Sequence, residues 1–344
     1  MAVRAFGTFP GAELDEALNV VAGELSSSFF LPSLPQRGPE SSALARTAAL
    51  FEEIHWSLGL RAFEMHTRTS QFSRAIKERW ERDWDVFLAA VDKHELSESS
   101  VMVSLPGPYT IASAVELPNG HWVVTDSGAV KHLVEELSGA INSFSERLYR
   151  DTGCVPVVVV DETAAGAALA GHQPGAHRFE DIPKPAPELV VSQWKEISKA
   201  LHGTGHDTNC CVVRFPATHC EWMSYLPELD AALKDPEGLR IAFDIVDCAS
   251  WSTSEIDAFG ERCEMWGNAL ELMALHGGSS RGQTERAHTV AKRLHQLGAA
   301  TSTDDRPVLH SVHDLALDTV TQATDHLREL SRYPEILESE WVSN

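Results

Sequence analysis

Short runs of β-branched and other apolar residues alternate along the chain with longer stretches whose apolar positions recur every three or four residues. The clearest run is Val155–Val160, VPVVVV. It is apolar almost without interruption, which is the character of a strand buried on both faces of a parallel sheet. Seven further runs are read as strands: Val3–Phe6, Leu60–Glu64, Val101–Leu105, Cys210–Phe215, Arg240–Ile245, Ala269–Ala274 and Pro307–Ser311. Between them the period changes to that of an amphipathic helix. In Ser127–Tyr149, for example, Val130, Leu133, Val134, Leu137, Ile141, Phe144 and Leu148 form one stripe. The same period predicts helices over Ala12–Leu25, Ser70–Lys93, Ser192–Leu201, Glu221–Leu233, Ser254–Cys263, Thr284–Leu297 and Leu315–Leu330.

Strand–helix alternation on this scale implies a parallel sheet, and eight repeats allow it to close. The pattern therefore predicts an α/β protein, a (β/α)₈ TIM barrel forming a single domain over residues 1–344. A doubly wound open sheet is the alternative, but no GxGxxG follows the first strand. Two stretches are less regular. Phe29–Glu40, rich in proline, reads as a loop laid over the barrel. Ala167–Glu188, with Pro, Gly and His, follows the fourth strand, where a loop would border the C-terminal mouth used by barrel enzymes.

Composition narrows the partners more than the fold. Of the 344 residues 43% are hydrophobic and 23% charged, ordinary values for a globular chain. The formal net charge of −22 disfavours nucleic acid and anionic membranes. The densest basic stretch, Arg74 to Arg82, is interleaved with acids and reads as a solvated helix face. No apolar run is long enough for a membrane span and no secretory signal is visible, so a cytoplasmic location is expected. Cysteines at 154, 210, 211, 220, 248 and 263 are expected to be thiols in that compartment, and no CxxC pair is present.

A closed barrel would gather the residues that follow each strand, however distant in sequence. Gly7 and Thr8 follow the first, and their amides and hydroxyl could grip a substrate carboxylate or merely form a turn. Leu105-Pro106-Gly107-Pro108-Tyr109-Thr110 follows the third and reads as architectural. Asp161 and Glu162 follow the fourth, either as helix caps or as catalytic carboxylates that bind an ammonium group or direct a proton. Arg214, His219 and Cys220 follow the fifth, Asp244, Asp247 and Cys248 the sixth, His276 the seventh, and His310 and His313 the eighth. Zinc favours imidazole and thiolate ligands, so the candidate metal set is His219, Cys220, Asp244, His310 and His313.

These strand ends resemble the catalytic barrel of cobalamin-independent methionine synthases, in the small stand-alone form of actinobacteria. Phe6-Gly7-Thr8-Phe9-Pro10 is similar to the family's opening Ile-Gly-Ser-(Phe/Leu)-Pro. Pro39 to Leu50 resembles its early helix, Leu105 to Thr110 its Gly-Pro-x-Thr turn, and Val160-Asp161-Glu162 its Gln-x-Asp-Glu-Pro strand, with Thr163 in place of proline. The resemblance implies zinc as cofactor and a homocysteine-like thiol activated as a zinc-bound thiolate. That thiolate would attack a methyl group on a folate-like or other donor, giving methionine. It also implies that Gly7 and Thr8 hold the amino-acid carboxylate and that Asp161 holds the ammonium group; Arg214, at the end of the fifth strand, is a further candidate for substrate binding. The zinc motif departs from the family. Arg214 and Pro216 stand at the His and Cys positions of the fifth strand, Val312 stands at the Cys position after the eighth, and Asp244 occupies the acidic position. Either His219, Cys220 and His310 or His313 form a displaced site, or zinc is lost and the barrel binds an amino acid or thiol without catalysis. A uroporphyrinogen-type decarboxylase would need several arginines at the mouth, and only Arg214 qualifies.

Overall fold

The computed structural model describes residues 3–25, 28–176, 182–202, 210–216, 221–234, 239–245, 248–275, 283–297, 308–311 and 314–342. The strands are β1 Val3–Arg4, β2 His55–Leu58, β3 Phe63–His66, β4 Ser100–Pro106, β5 Val115–Glu116, β6 Val155–Asp161, β7 Cys210–Phe215, β8 Arg240–Asp244, β9 Leu270–Leu275 and β10 Leu309–Ser311. The helices are α1 Leu14–Glu24, α2 Ala43–Ala49, α3 Gln71–Lys93, α4 Pro108–Ala114, α5 Ser127–Thr152, α6 Gly166–Leu169, α7 Pro187–His202, α8 Leu226–Ala232, α9 Thr253–Trp266, α10 Gln283–Gln296 and α11 Val320–Val342.

Seven strands form one parallel sheet in the order β1-β10-β9-β8-β7-β6-β4. The sheet is strongly curled. β1 and β7 are four places apart in it, roughly 19 Å in a flat sheet. Yet the Arg214 guanidinium at the end of β7 lies 4.6 Å from the centre of the Phe6 ring just beyond β1. Curling brings the ends of distant strands to one mouth, the property on which the site depends.

The expected eight-stranded ring is not what forms. Leu60–Glu64, expected as the second barrel strand, contributes only its last two residues to a strand. That strand, β3, pairs antiparallel with β2 and parallel with β5 in a separate three-stranded sheet. The reason lies in side-chain chemistry: Phe63–His66 is only partly buried at every position, and an interior strand cannot present Arg61 and Glu64 to a dry sheet. The vacant place is taken by the segment expected as a surface loop. Phe29, Phe30 and Leu31 are buried. Phe30 bridges Met102 of β4 and Ser33 bridges Thr8 beyond β1, both in parallel sense. Pro32 and Pro35 lack the N–H groups that a ladder needs, so the closure is a pair of isolated bridges rather than an eighth strand.

Most of the longer helices follow the sequence pattern, although the last runs over Val320–Val342 rather than Leu315–Leu330, and several helix ends have local causes. The Asp126 side chain accepts hydrogen bonds from the N–H groups of Gly128 and Ala129 and starts α5, while Gly153, at φ 72°, ends it. Ser252 and Glu255 form a capping box at the start of α9. Trp194, Phe215, Tyr225 and Phe243 pack edge-to-face and stacked between the sheet and its outer helices. No described helix is long and apolar enough to cross a membrane.

Candidate active site

Asp161 and Glu162, adjacent in sequence at the end of β6, go to different places. Asp161, the last residue of β6, faces Arg214 of β7, its register partner. Oδ2 of Asp161 accepts a hydrogen bond from Nη1 of Arg214 at 2.7 Å, and Oδ1 accepts from the N–H and hydroxyl of Thr163 at 2.9 and 2.6 Å. Burial alone would raise the Asp161 pKa, but Arg214 and the Thr163 donors together hold it below the ordinary carboxylate value. The guanidinium is fixed from two more sides. Nε donates to Sδ of Met273 at 3.0 Å, and the group lies over the Phe6 ring.

Glu162 turns away into the protein and is fully buried. Oε1 accepts from the Tyr109 N–H and from Nε1 of Trp194, each at 3.1 Å, and Oε2 accepts from the Thr110 N–H at 2.7 Å. The carboxyl group thus satisfies the first free N–H groups of α4. Gly107 makes room for it, since a Cβ there would lie 2.3 Å from Cδ of Glu162. Burial pushes the Glu162 pKa up to about 7 against the pull of those donors. An acid whose pKa rises on folding binds more protons folded than unfolded between its two values, so its contribution to stability falls as pH rises through that window. Urea unfolding of wild type and Glu162→Gln at pH 4.5 and pH 8 checks this. The wild-type advantage should shrink by about 3 kcal/mol over a shift from 4.5 to about 7.

Gly7, at φ 99°, needs the backbone freedom of glycine, and its carbonyl accepts from the Ser33 N–H at 2.8 Å. The Thr8 hydroxyl donates to Oδ1 of Asp314, and the Thr8 oxygen accepts from the Ala316 N–H at 3.3 Å.

Of the expected metal ligands, His219, Cys220 and His313 lie outside the described residues, as do Asp247 and His276. Asp244 ends β8. His310 is fully buried and its Nε2 is paired with Oε2 of Glu271. Glu271 also meets Arg4 at 3.0 Å and Arg240 at 3.2 Å. Burial is the largest influence on the His310 pKa and lowers it below the ordinary imidazole value, against the pull of Glu271. Burial would raise the Glu271 pKa, but His310 and the two arginines hold it low. His310 therefore serves a buried polar network tying β1, β8, β9 and β10. Among the described residues no group of three or more His, Cys, Asp or Glu side chains is placed to hold a metal ion, and His310, of the expected ligands, is already paired with Glu271. Zinc prefers several thiolate or imidazole ligands at one point.

Glu271, Arg4 and Asp314 were not among the residues expected at the site. Glu271 and Arg4 did carry a signal: each is a lone charge inside an otherwise apolar predicted strand, a placement that demands a buried partner.

No family model matches the sequence, and no curated protein matches it. Solved structures do. A B12-independent methionine synthase from Shewanella sp. W3-18-1, in complex with selenomethionine, shares the fold over 99% of each chain with a TM-score of 0.58 and 12% identity. A methyltransferase from Methanosarcina mazei does so over 95% of this chain and 85% of its own, with a TM-score of 0.51 and 10% identity. At such identities the likeness establishes the fold: the chain has the barrel architecture of B12-independent methionine synthases.

Proposed function

We propose that the protein is a methyltransferase of the methionine-synthase type, which binds an amino-acid thiol such as homocysteine at the sheet's C-terminal mouth and accepts a methyl group on its sulfur. The observation that carries this reading is the whole-chain likeness to a B12-independent methionine synthase, joined to the Asp161–Arg214 pair at the β6 and β7 ends, where a parallel α/β barrel keeps its chemistry. In this reading the mouth formed by Arg214, Asp161 and the turn at Gly7 and Thr8 receives the substrate. Glu162 is a structural cap, because each of its oxygens is already held by N–H donors. The methyl donor, folate-like or another, enters from the open mouth. The described residues do not assemble a zinc site, so no step is assigned to a metal.

A second reading is favoured by one specific observation. Arg214 and Pro216 stand where the resembled family has its first two zinc ligands, so the barrel could bind an amino acid or thiol without transferring a methyl group. Incubation with homocysteine and ¹³C-methyl-tetrahydrofolate, followed by mass spectrometry, separates the two. Labelled methionine formed by wild type and reduced at least tenfold in Arg214→Gln supports the enzyme, the scale of a lost charge-assisted hydrogen bond. Homocysteine binding with no labelled methionine from this or other methyl donors supports the binder.

A further inference from the structure

We infer that Arg214, rather than Thr8 or Asp161, takes the charged end of the substrate. The ligand's carboxylate docks on the free edge of this guanidinium, and Asp161 acts as the positioning residue that aims it. This inference rests on the proposed binding of an amino-acid thiol.

A carboxylate requires N–H or O–H donors that are not already spent. The Thr8 hydroxyl is spent. It donates to Asp314, and the adjacent negative charge repels an incoming carboxylate. Asp161 is equally committed. Thr163 supplies both donors to one oxygen, Arg214 supplies a donor to the other, and the guanidinium balances its charge. An ammonium group would have to displace or share that pairing.

Arg214 is different. Only 8% of the residue is exposed. Nε is spent on Met273 and Nη1 on Asp161, while Nη2 has no hydrogen-bond partner among the described residues. A guanidinium carries five N–H donors in a rigid plane, suited to two parallel bonds with a carboxylate. Here the plane is clamped by a carboxylate, a thioether and an aromatic face, so little side-chain entropy remains to be lost on binding. The cation stands at the strand-end position where the resembled family has its first zinc ligand. The anchor is permanently charged and needs no metal. The ligand class that fits is a short carboxylate carrying a thiol, with the ammonium group contributing less.

Isothermal titration of the full-length protein with three ligands tests this. The ligands are homocysteine, 4-mercaptobutanoate, which lacks the ammonium group, and 3-aminopropane-1-thiol, which lacks the carboxylate. The expected result is 4-mercaptobutanoate within about 10-fold of homocysteine and the aminothiol weaker by roughly 100-fold, the range of a charge-assisted hydrogen bond. Chelator leaves these affinities unchanged. Arg214→Gln brings homocysteine down to the aminothiol's level, and Arg214→Lys restores part of the loss. Asp161→Asn weakens homocysteine and 4-mercaptobutanoate by the same smaller factor and adds nothing to Arg214→Gln. Should Arg214→Gln fail to fold, the three-ligand comparison on wild type decides alone. The inference is overturned if the aminothiol binds like homocysteine while 4-mercaptobutanoate does not, if Asp161→Asn penalises only ammonium-bearing ligands, or if chelator abolishes binding. Failure of all three ligands to bind removes the amino-acid-thiol reading, and this inference with it.

Discussion

Glu271→Gln should destabilise the protein by about 3–5 kcal/mol, the cost of removing one partner from a buried ionic network. Glu271 is fully buried between Arg4, Arg240 and His310, which come from three other strands of the sheet. A neutral amide leaves two guanidinium groups without their counter-charge, and its NH₂ cannot accept from them. Urea unfolding at pH 7 measures the loss. The pH dependence has a definite sign. Glu271 has its folded pKa below the ordinary 4.5, so its contribution is complete above that value and disappears as pH falls through the folded one. The gap between wild type and variant should therefore narrow below about pH 4.5. His310 acts in the same direction through a different window. With its pKa lowered by burial below the ordinary 6.5, it costs stability as pH falls below that value, because the unfolded chain takes up the proton first. A variant as stable as wild type at pH 7 would show that the network contributes nothing to the sheet.

Gly107→Ala should cost about 2–4 kcal/mol, the scale of overpacking combined with buried donors left unpaired. The new methyl group would lie 2.3 Å from Cδ and 2.6 Å from Cγ of Glu162, and backbone holds it there, since the Gly107 N–H donates to the Asp161 carbonyl at 2.8 Å. Glu162 would have to leave the N–H groups of Tyr109 and Thr110 and the Trp194 indole. The clash is specific, so it can be tested by relief. Gly107→Ala combined with Glu162→Ala should lose less than the sum of the two single variants, by about 1–3 kcal/mol, the usual coupling between residues in contact. Strict additivity in calorimetric or urea unfolding would mean that the two positions do not meet.

Much of this architecture was legible because burial on both faces leaves a plain signature. VPVVVV at β6, VMVSL within β4 and CCVVRF at β7 could be little else than interior strands, and each formed close to its expected bounds. The failure at Leu60–Glu64 has a physical origin. β-branched and aromatic content marks a strand but not which sheet it joins, and only the charges at Arg61 and Glu64 argued against the interior. Phe29–Leu31 was hidden by its prolines, which signal loop chemistry, although the apolar triplet itself occupies the eighth position. The site divides in the same way. Asp161 and Arg214 could be named because they end strands, but their pairing depends on the register between β6 and β7, which no local pattern encodes. Glu162 was open to two readings, a helix cap or a second catalytic acid. The chain leaves the strand at Asp161, and the Glu162 carboxyl lies at the start of α4, accepting from the N–H groups of Tyr109 and Thr110.

The proposed site requires that the ligand arrive at the mouth around Arg214. Met273 reports on that place, because its Sδ accepts from Nε of Arg214 at 3.0 Å. The chain has six methionines, so ¹³C-methyl labelling gives few resonances, and Met273→Leu assigns the relevant one. Titration with homocysteine should shift or broaden the Met273 methyl signal saturably while leaving distant methionines in place. A Met273 signal unmoved at ligand concentrations that calorimetry shows to be saturating would contradict the site.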